Sequence, residues 1–171
     1  MAMKLEPPKN SNYAATIVRL REGVGLPGLD NLVGLQWAGY QALVSKDGLR
    51  AGELGLMFPP EVQLSHEFAS ANNLYRHSNL NLDPGRTGYL EDNRRVRAIK
   101  LRGHRSDALF MPIESLQYVL QDPANVYELV EGDEFDRFQG TEICCKYVVH
   151  PTHGLGGHAG RQPKIRDERI D

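Results

Sequence analysis

The sequence has few of the features that mark secreted, membrane-spanning or disulfide-stabilised proteins. Only two of its 171 residues are cysteines, and these two, Cys144 and Cys145, are adjacent. Neighbouring cysteines are poorly placed to bridge each other, so no disulfide framework is expected, which agrees with a reducing compartment. No apolar run approaches the length of a membrane span, and residues 1–10 contain no hydrophobic signal core. We therefore expect a cytoplasmic protein.

The common catalytic signatures are also missing. There is no nucleophile–histidine–acid arrangement, no phosphate-cradling glycine-rich loop and no cluster of acidic metal ligands. The nucleotidyltransferase signature Lys-x-Asp-Gly does not occur, because Lys100-Leu101-Arg102-Gly103 has arginine at its third position and Lys46-Asp47-Gly48 lacks the intervening residue. Without the acidic residue, Lys100 is not expected to attack ATP. The chain alone is therefore predicted to be inactive.

The composition is that of a globular protein with many turns. Hydrophobic residues make up 40% of the chain and charged residues 25%, with 17 glycines and 10 prolines. Strand patterns occupy 14–20, 32–37, 40–44, 54–58, 95–101 and 108–111, and residues 103–106 are expected to join the last two. Helices are expected at 65–75, capped by Ser65, and at 114–121. This pattern predicts a mainly β fold, a partly open OB-type barrel of five to six short strands with one or two short helices.

The pattern also suggests domain boundaries. Residues 1–13 are expected to be a flexible leader, and 14–140 the folded domain. Residues 141–171 have no hydrophobic period and are predicted to be a linker toward a further domain.

Positive charge is concentrated in one segment. Residues 94–105 contain six basic and no acidic side chains, although the net charge of the chain is −2. Basic residues along a strand suit consecutive phosphates and give affinity without base specificity. The alternative is a solvated edge strand whose charges prevent aggregation. The candidate nucleic-acid-binding residues are Arg95, Arg97, Lys100, Arg102 and Arg105, together with Lys46.

Two other groups are weaker candidates. His150, His153 and His158 with Cys144 and Cys145 contain zinc-ligand residue types, but adjacent cysteines lack the paired spacing of structural zinc sites. Incidental histidines in a linker are the better interpretation, and no metal site is predicted. Trp37 and Tyr40 could stack on bases, although such aromatic residues more often belong to a core.

Three ordered blocks of sequence resemble the N-terminal OB domain of the Deinococcus-type nick-sealing RNA ligases, a family found in bacteria, phages and some eukaryotes. The first is Ala15-Thr16-Ile17-Val18 followed by residues 26–33, and the second runs from residues 44–46 through 52–59. The third is Arg97-Ala98-Ile99-Lys100-Leu101-Arg102-Gly103 followed by residues 108–112. Farther on, Lys146-Tyr147 and residues 163–169 are similar to the family's linker, although Val148 and Val149 replace its Glu-Pro. Specificity comes from the order and spacing of these short motifs together.

The resemblance implies a function in two parts. The domain would clamp RNA or a nicked RNA/DNA duplex, while a covalently linked nucleotidyltransferase domain beyond this chain would use ATP and Mg²⁺ or Mn²⁺ to join a 3′-OH to a 5′-phosphate. Two alternatives stay open. One is a stand-alone module that binds tRNA or structured RNA. The other is a protein-interaction domain whose partner meets the acidic segment 122–142, where seven acidic residues stand against one arginine.

Overall fold

The computed structural model describes residues 5–149, and short strands dominate this part of the chain. The strands are β1 (Ala15–Arg19), β2 (Leu32–Trp37), β3 (Tyr40–Ser45), β4 (Leu54–Phe58), β5 (Val62–Leu64), β6 (Ile99–Leu101), β7 (His104–Ser106), β8 (Leu109–Pro112), β9 (Glu134–Phe135), β10 (Arg137–Phe138), β11 (Thr141–Glu142) and β12 (Cys144–Lys146). One α-helix, α1 (His66–Ala71), and four 3-10 helices at Ser11–Tyr13, Ser78–Leu80, Ile113–Val119 and Pro123–Glu128 complete the described elements. No helix within residues 5–149 is long and apolar enough to cross a membrane.

A four-stranded antiparallel sheet in the order β8-β4-β1-β9 forms the centre of the domain. Successive side chains of a strand point to opposite faces, and on β1 and β4 both faces are buried. Ile17 and Phe58 enter a larger core with α1 and the two later 3-10 helices, whereas Val18 and Met57 enter a smaller core under β2 and β3. The sheet therefore separates two cores.

The remaining strands form two-stranded ladders around this sheet. They pair as β2–β3, β5–β12, β6–β7 and β10–β11, all antiparallel. Within residues 5–149 the hydrogen-bonded sheets do not close into one barrel. The mainly β fold with few short helices is confirmed, while the OB-type barrel stays a prediction.

Helix α1 begins where the sequence predicts. The Ser65 hydroxyl accepts a hydrogen bond from the Phe68 N–H at 3.1 Å, and Phe68 and Leu74 are buried. The helix is shorter than predicted, because Asn72 caps its C-terminus. The second predicted helix, 114–121, is a 3-10 helix at Ile113–Val119.

Removing this cap should cost stability. We expect Ser65→Ala to lower the free energy of unfolding by about 1 kcal/mol, because the buried Phe68 N–H loses its acceptor. Urea denaturation measures this change, and Ser65→Thr, which keeps a hydroxyl, is the control. A midpoint for Ser65→Ala equal to that of the unsubstituted protein would contradict the capping role.

The structure differs from four sequence-based expectations. In the predicted strand 95–101 only Ile99–Leu101 form a strand, and the segment 103–106, expected to be a connection, contains β7. The folded part continues past residue 140, because β11 and β12 follow and Ile143 and Cys144 are buried. At the other end, the 3-10 helix at Ser11–Tyr13 lies within the expected leader. Ordered structure thus begins earlier and ends later than the pattern predicts.

Candidate nucleic-acid interface

The strongest candidate site is the β6–β7 hairpin, residues 99–106. Leu101 pairs with His104, which leaves Arg102 and Gly103 as a two-residue turn. Both turn residues have positive φ, +52° and +84°, as a type I′ turn requires. Glycine adopts this conformation without strain, whereas Arg102 does so less readily. The turn holds the Arg102 side chain at the tip of the hairpin.

One strand of the hairpin is fixed to the body of the domain. His104 Nε2 donates to the Pro27 carbonyl at 2.7 Å, and the Leu43 N–H donates to Ser106 Oγ at 3.1 Å. Just beyond β7, the Asp107 N–H donates to the Gln41 carbonyl at 2.8 Å, and an Asp107 carboxylate oxygen accepts from the Gln41 N–H at 2.9 Å. Strand β6 is exposed along its whole length, and within residues 5–149 it pairs with β7 alone. The open edge of the hairpin is therefore β6.

The six cations of the basic segment fall into two groups. Arg94 donates to the Leu64 carbonyl at 2.8 Å, Arg95 pairs with Glu61, and Arg105 lies 3.2 Å from Asp107. The other three are exposed and have no acidic partner within residues 5–149, although Arg102 donates to the Gly28 carbonyl at 2.8 Å. These three are Arg97, Lys100 and Arg102, and we call them the β6 cations. An exposed cation without an acidic partner is the most available to an external anion.

Arg95 lies apart from the β6 cations. It belongs to a bridge with Gln63, and its guanidinium donates to the Glu61 carboxylate at 2.6 and 3.0 Å. The same guanidinium lies 4.7 Å from the centre of the Tyr147 ring. Arg95 therefore joins the start of β5 to the residue that follows β12, and its proposed contact with nucleic acid stays a prediction.

This arrangement predicts that Arg95 affects stability more than binding. We expect Arg95→Ala to lower the free energy of unfolding by about 1–3 kcal/mol, because a half-buried bidentate pair and a cation–π contact are both lost. The salt dependence of nucleic-acid binding should change little. Urea denaturation and a salt titration of the same variant separate the two effects. Full stability combined with a reduced salt slope would place Arg95 in the interface instead.

Lys46 and the two aromatic candidates lie on the neighbouring β2–β3 hairpin. Lys46 is exposed directly after β3, and its N–H donates to the Asn31 carbonyl at 3.2 Å. The β6–β7 hairpin contacts the same loop at Pro27 and Gly28. Trp37 and Tyr40 are partly buried against the smaller core, which favours the core interpretation. The contact of Lys46 with nucleic acid stays a prediction.

The cysteines show no sign of reactivity. Cys144 is buried, and desolvation raises the pKa of its thiol to about 12. Burial also raises the pKa of the Cys145 thiol, and both cysteines are free. In the described part of the chain no group of three or more His, Cys, Asp or Glu side chains is arranged to hold a metal ion. His150, His153 and His158 lie outside the described residues, as do residues 163–169 of the resemblance.

Comparisons with known proteins found similarity to solved structures of an RNA ligase. No protein-family model matches the chain, and no curated protein matches it. The chain is similar to a mutant of Naegleria gruberi RNA ligase solved with AMP and Mn, with 18% identity, a TM-score of 0.49, and coverage of 78% of this chain and 34% of the other. A mutant of that ligase with ATP and Mn gives 18% identity, a TM-score of 0.49 and coverage of 78% and 35%. The ligase solved with PPi gives 20% identity, a TM-score of 0.43, and coverage of 70% of this chain and 35% of the other.

The chain thus spans about a third of the length of these ligase structures. The identities are below 25% and the TM-scores below 0.5. The function proposed below therefore rests on the residues of this chain.

Proposed function

We propose that residues 5–149 form an OB-type nucleic-acid-binding domain of an ATP-dependent RNA ligase, which holds a nicked duplex while a separate catalytic domain seals it. One observation supports the binding role above all: Arg97, Lys100 and Arg102 are exposed on or beside the open strand β6 and have no acidic partner in the described residues. These are the residues of the block Arg97–Gly103, where the sequence most closely resembles the ligase family.

Charge and shape suit this role. Contacts between basic side chains and phosphates supply affinity that does not depend on base sequence, as a general sealing enzyme requires. Arg97 precedes β6, Lys100 lies on it and Arg102 follows in the turn, so the three cations fall within six consecutive residues and could contact more than one phosphate. The domain would therefore fix the position of the duplex without reading its sequence.

The chemistry of sealing would belong to the catalytic domain. In the proposed reaction a lysine there would take AMP from ATP and release pyrophosphate, and the AMP would then pass to the 5′-phosphate. The 3′-OH would attack that phosphate, form the phosphodiester bond and release AMP, with Mg²⁺ or Mn²⁺ supplying charge stabilisation. The residues of this chain would bind and orient the two strands that flank the nick. Holding both ends in line converts an encounter of separate ends into a reaction within one complex.

The test is binding of the purified chain to a labelled nicked duplex whose 3′-OH strand is RNA. An intact duplex and a tRNA are the competing ligands, and each affinity is measured across a salt series. We expect salt-dependent binding with preference for the nicked duplex. Equal affinity for nicked and intact duplex would contradict the clamp, and preference for tRNA would favour the stand-alone RNA-binding module.

The protein-interaction alternative makes a different prediction in the same experiment. The acidic segment 122–142 contains exposed carboxylates such as Glu128 and Glu131, which would suit a basic partner. A chain that binds none of the three nucleic acids even at low salt would support that alternative instead.

A further inference from the structure

Strand β6 exposes an apolar face as well as its charges. Ile99 is 54% exposed and Leu101 41%, and both lie on one face because side chains alternate along a strand. Their partners across the hairpin are Ser106 and His104, whereas Lys100 lies opposite Arg105 on the other face. Exposed large aliphatic residues are common one at a time. Two on one face of an open edge strand, with Arg97 before them and Arg102 after them, form a composite surface of cations and aliphatic groups.

The fixed position of β7 limits what this surface can touch. Hydrogen bonds from His104 and to Ser106 hold β7 against the Pro27 loop and β3. The hairpin therefore cannot enter a deep groove as a free ribbon with both strands. Only the β6 side is available. Its two aliphatic residues, Ile99 and Leu101, lie about 7 Å apart along the strand. A ligand that covers it must present a shallow apolar surface next to closely spaced anions.

An A-form duplex has such a surface. Its minor groove is wide and shallow and is lined by sugars and base edges between two rows of phosphates. The minor groove of B-form DNA is only about 6 Å wide, and its major groove is about 8.5 Å deep, so neither offers this shallow shape. If Lys100 served only to prevent another strand from pairing with this edge, its charge would be explained. The two exposed aliphatic residues beside it would not be.

We propose that Ile99 and Leu101 pack on the sugar and base-edge surface in the minor groove of an A-form duplex, while the β6 cations bind its bordering phosphates. Lys100 reaches around the open edge of β6, since a long lysine side chain can carry its ammonium group well away from its own strand face. This inference rests on the proposed function and specifies its ligand, a duplex with RNA-like geometry.

The two kinds of contact have different signatures in a salt titration. An apolar contact contributes the same factor at every salt concentration, whereas a phosphate contact adds about one unit to the slope of log affinity against log salt. We expect Ile99→Ala and Leu101→Ala each to weaken binding to an RNA duplex about fivefold with an unchanged slope. Lys100→Ala should instead lower the slope by about one.

The controls use the same protein. Leu82, which is 73% exposed and lies outside the hairpin, provides the matched variant Leu82→Ala, expected to bind like the unsubstituted chain. Because Ile99 and Leu101 are exposed, their alanine variants should keep the melting temperature, which shows that they remain folded. A DNA duplex of the same sequence is the second ligand, and the Ile99→Ala and Leu101→Ala losses should be absent there.

The possible failures are distinguishable. If the unsubstituted chain binds the nicked RNA duplex but Ile99→Ala and Leu101→Ala bind equally well, the groove contact is wrong and the proposed clamp stands. Equal losses on RNA and DNA would overturn the assignment to an A-form groove. No binding to any duplex would overturn both proposals. Vesicles of phosphatidylserine and phosphatidylcholine serve as a third ligand, and binding to them alone, lost in Ile99→Ala, would identify a membrane surface instead.

Discussion

Replacing Arg97, Lys100 and Arg102 together by alanine is expected to lower the salt slope of duplex binding by about three. Each phosphate contact releases close to one counterion, and these three cations have no acidic partner in the described part of the chain. Affinity should therefore fall most at low salt, and the difference from the unsubstituted chain should shrink as salt increases. A titration with a nicked RNA duplex from low to moderate salt measures the slope directly.

A second triple variant separates local contacts from net charge. Arg19, Arg76 and Arg86 are exposed and lie outside the β6–β7 hairpin, and their replacement by alanine removes the same total charge. Arg19 and Arg76 form surface ion pairs, which contribute little to stability. We expect this variant to retain nearly the full slope. Equal slopes in the two triple variants would mean that the hairpin is not the phosphate-binding surface.

Phe58→Ala is expected to lower the free energy of unfolding by about 3–5 kcal/mol, the usual cost of deleting a buried aromatic ring. Phe58 is fully buried at the end of β4, where it pairs with Leu109 of β8. Its ring lies 5.4 Å from that of Phe68 in an edge-to-face arrangement. One side chain thus connects the central sheet with α1, and its removal leaves a cavity that both elements border. Urea denaturation measures the loss.

The control for this variant is Leu82→Ala, whose side chain is exposed and should change stability by less than about 0.5 kcal/mol. If Phe58→Ala lost less than about 1 kcal/mol, the larger core would not be organised around the contact between sheet and helix.

The strands that the sequence predicts correctly are those with clear local signals. Strands β1 to β4 are mainly apolar runs of five or six residues. They are closed by turns such as Ala38-Gly39 or by Pro59-Pro60. The missed strands, β5, β7 and β9 to β12, have two or three residues each. Runs of that length show no measurable period. Strands β5, β9 and β12 pair with distant segments, whereas β10 and β11 pair across a short turn.

The error at residues 95–101 has an identifiable physical cause. The apolar pattern of this segment changes face between Ala98 and Ile99. In the structure the chain changes partners there: Val96 exchanges backbone hydrogen bonds with β5 and Glu61, while Ile99 pairs with Ser106. The change of face in the sequence therefore marks the boundary between two ladders, which the pattern alone does not identify.

The sequence shows which cations are candidates for binding but not what each of them contacts in the fold. Consecutive cations without acidic neighbours are visible in any sequence, and their role in binding stays a prediction. The pairing of Arg95 with Glu61 joins residues 34 positions apart, so no local pattern indicates it. The hairpin turn at Arg102-Gly103 was also missed, although a residue followed by glycine between two short β runs is typical of a type I′ turn. The exposure of Ile99 and Leu101 is known only from the fold.

The most direct test of the central claim is to map the bound surface by NMR chemical-shift changes of backbone amides during titration with a nicked RNA duplex. We predict that the largest changes lie at residues 97–106 and around Lys46, and that they weaken as salt is added. Changes confined to other parts of the domain, such as the acidic segment 122–142, with the β6–β7 hairpin unaffected, would contradict the claim that this hairpin binds nucleic acid.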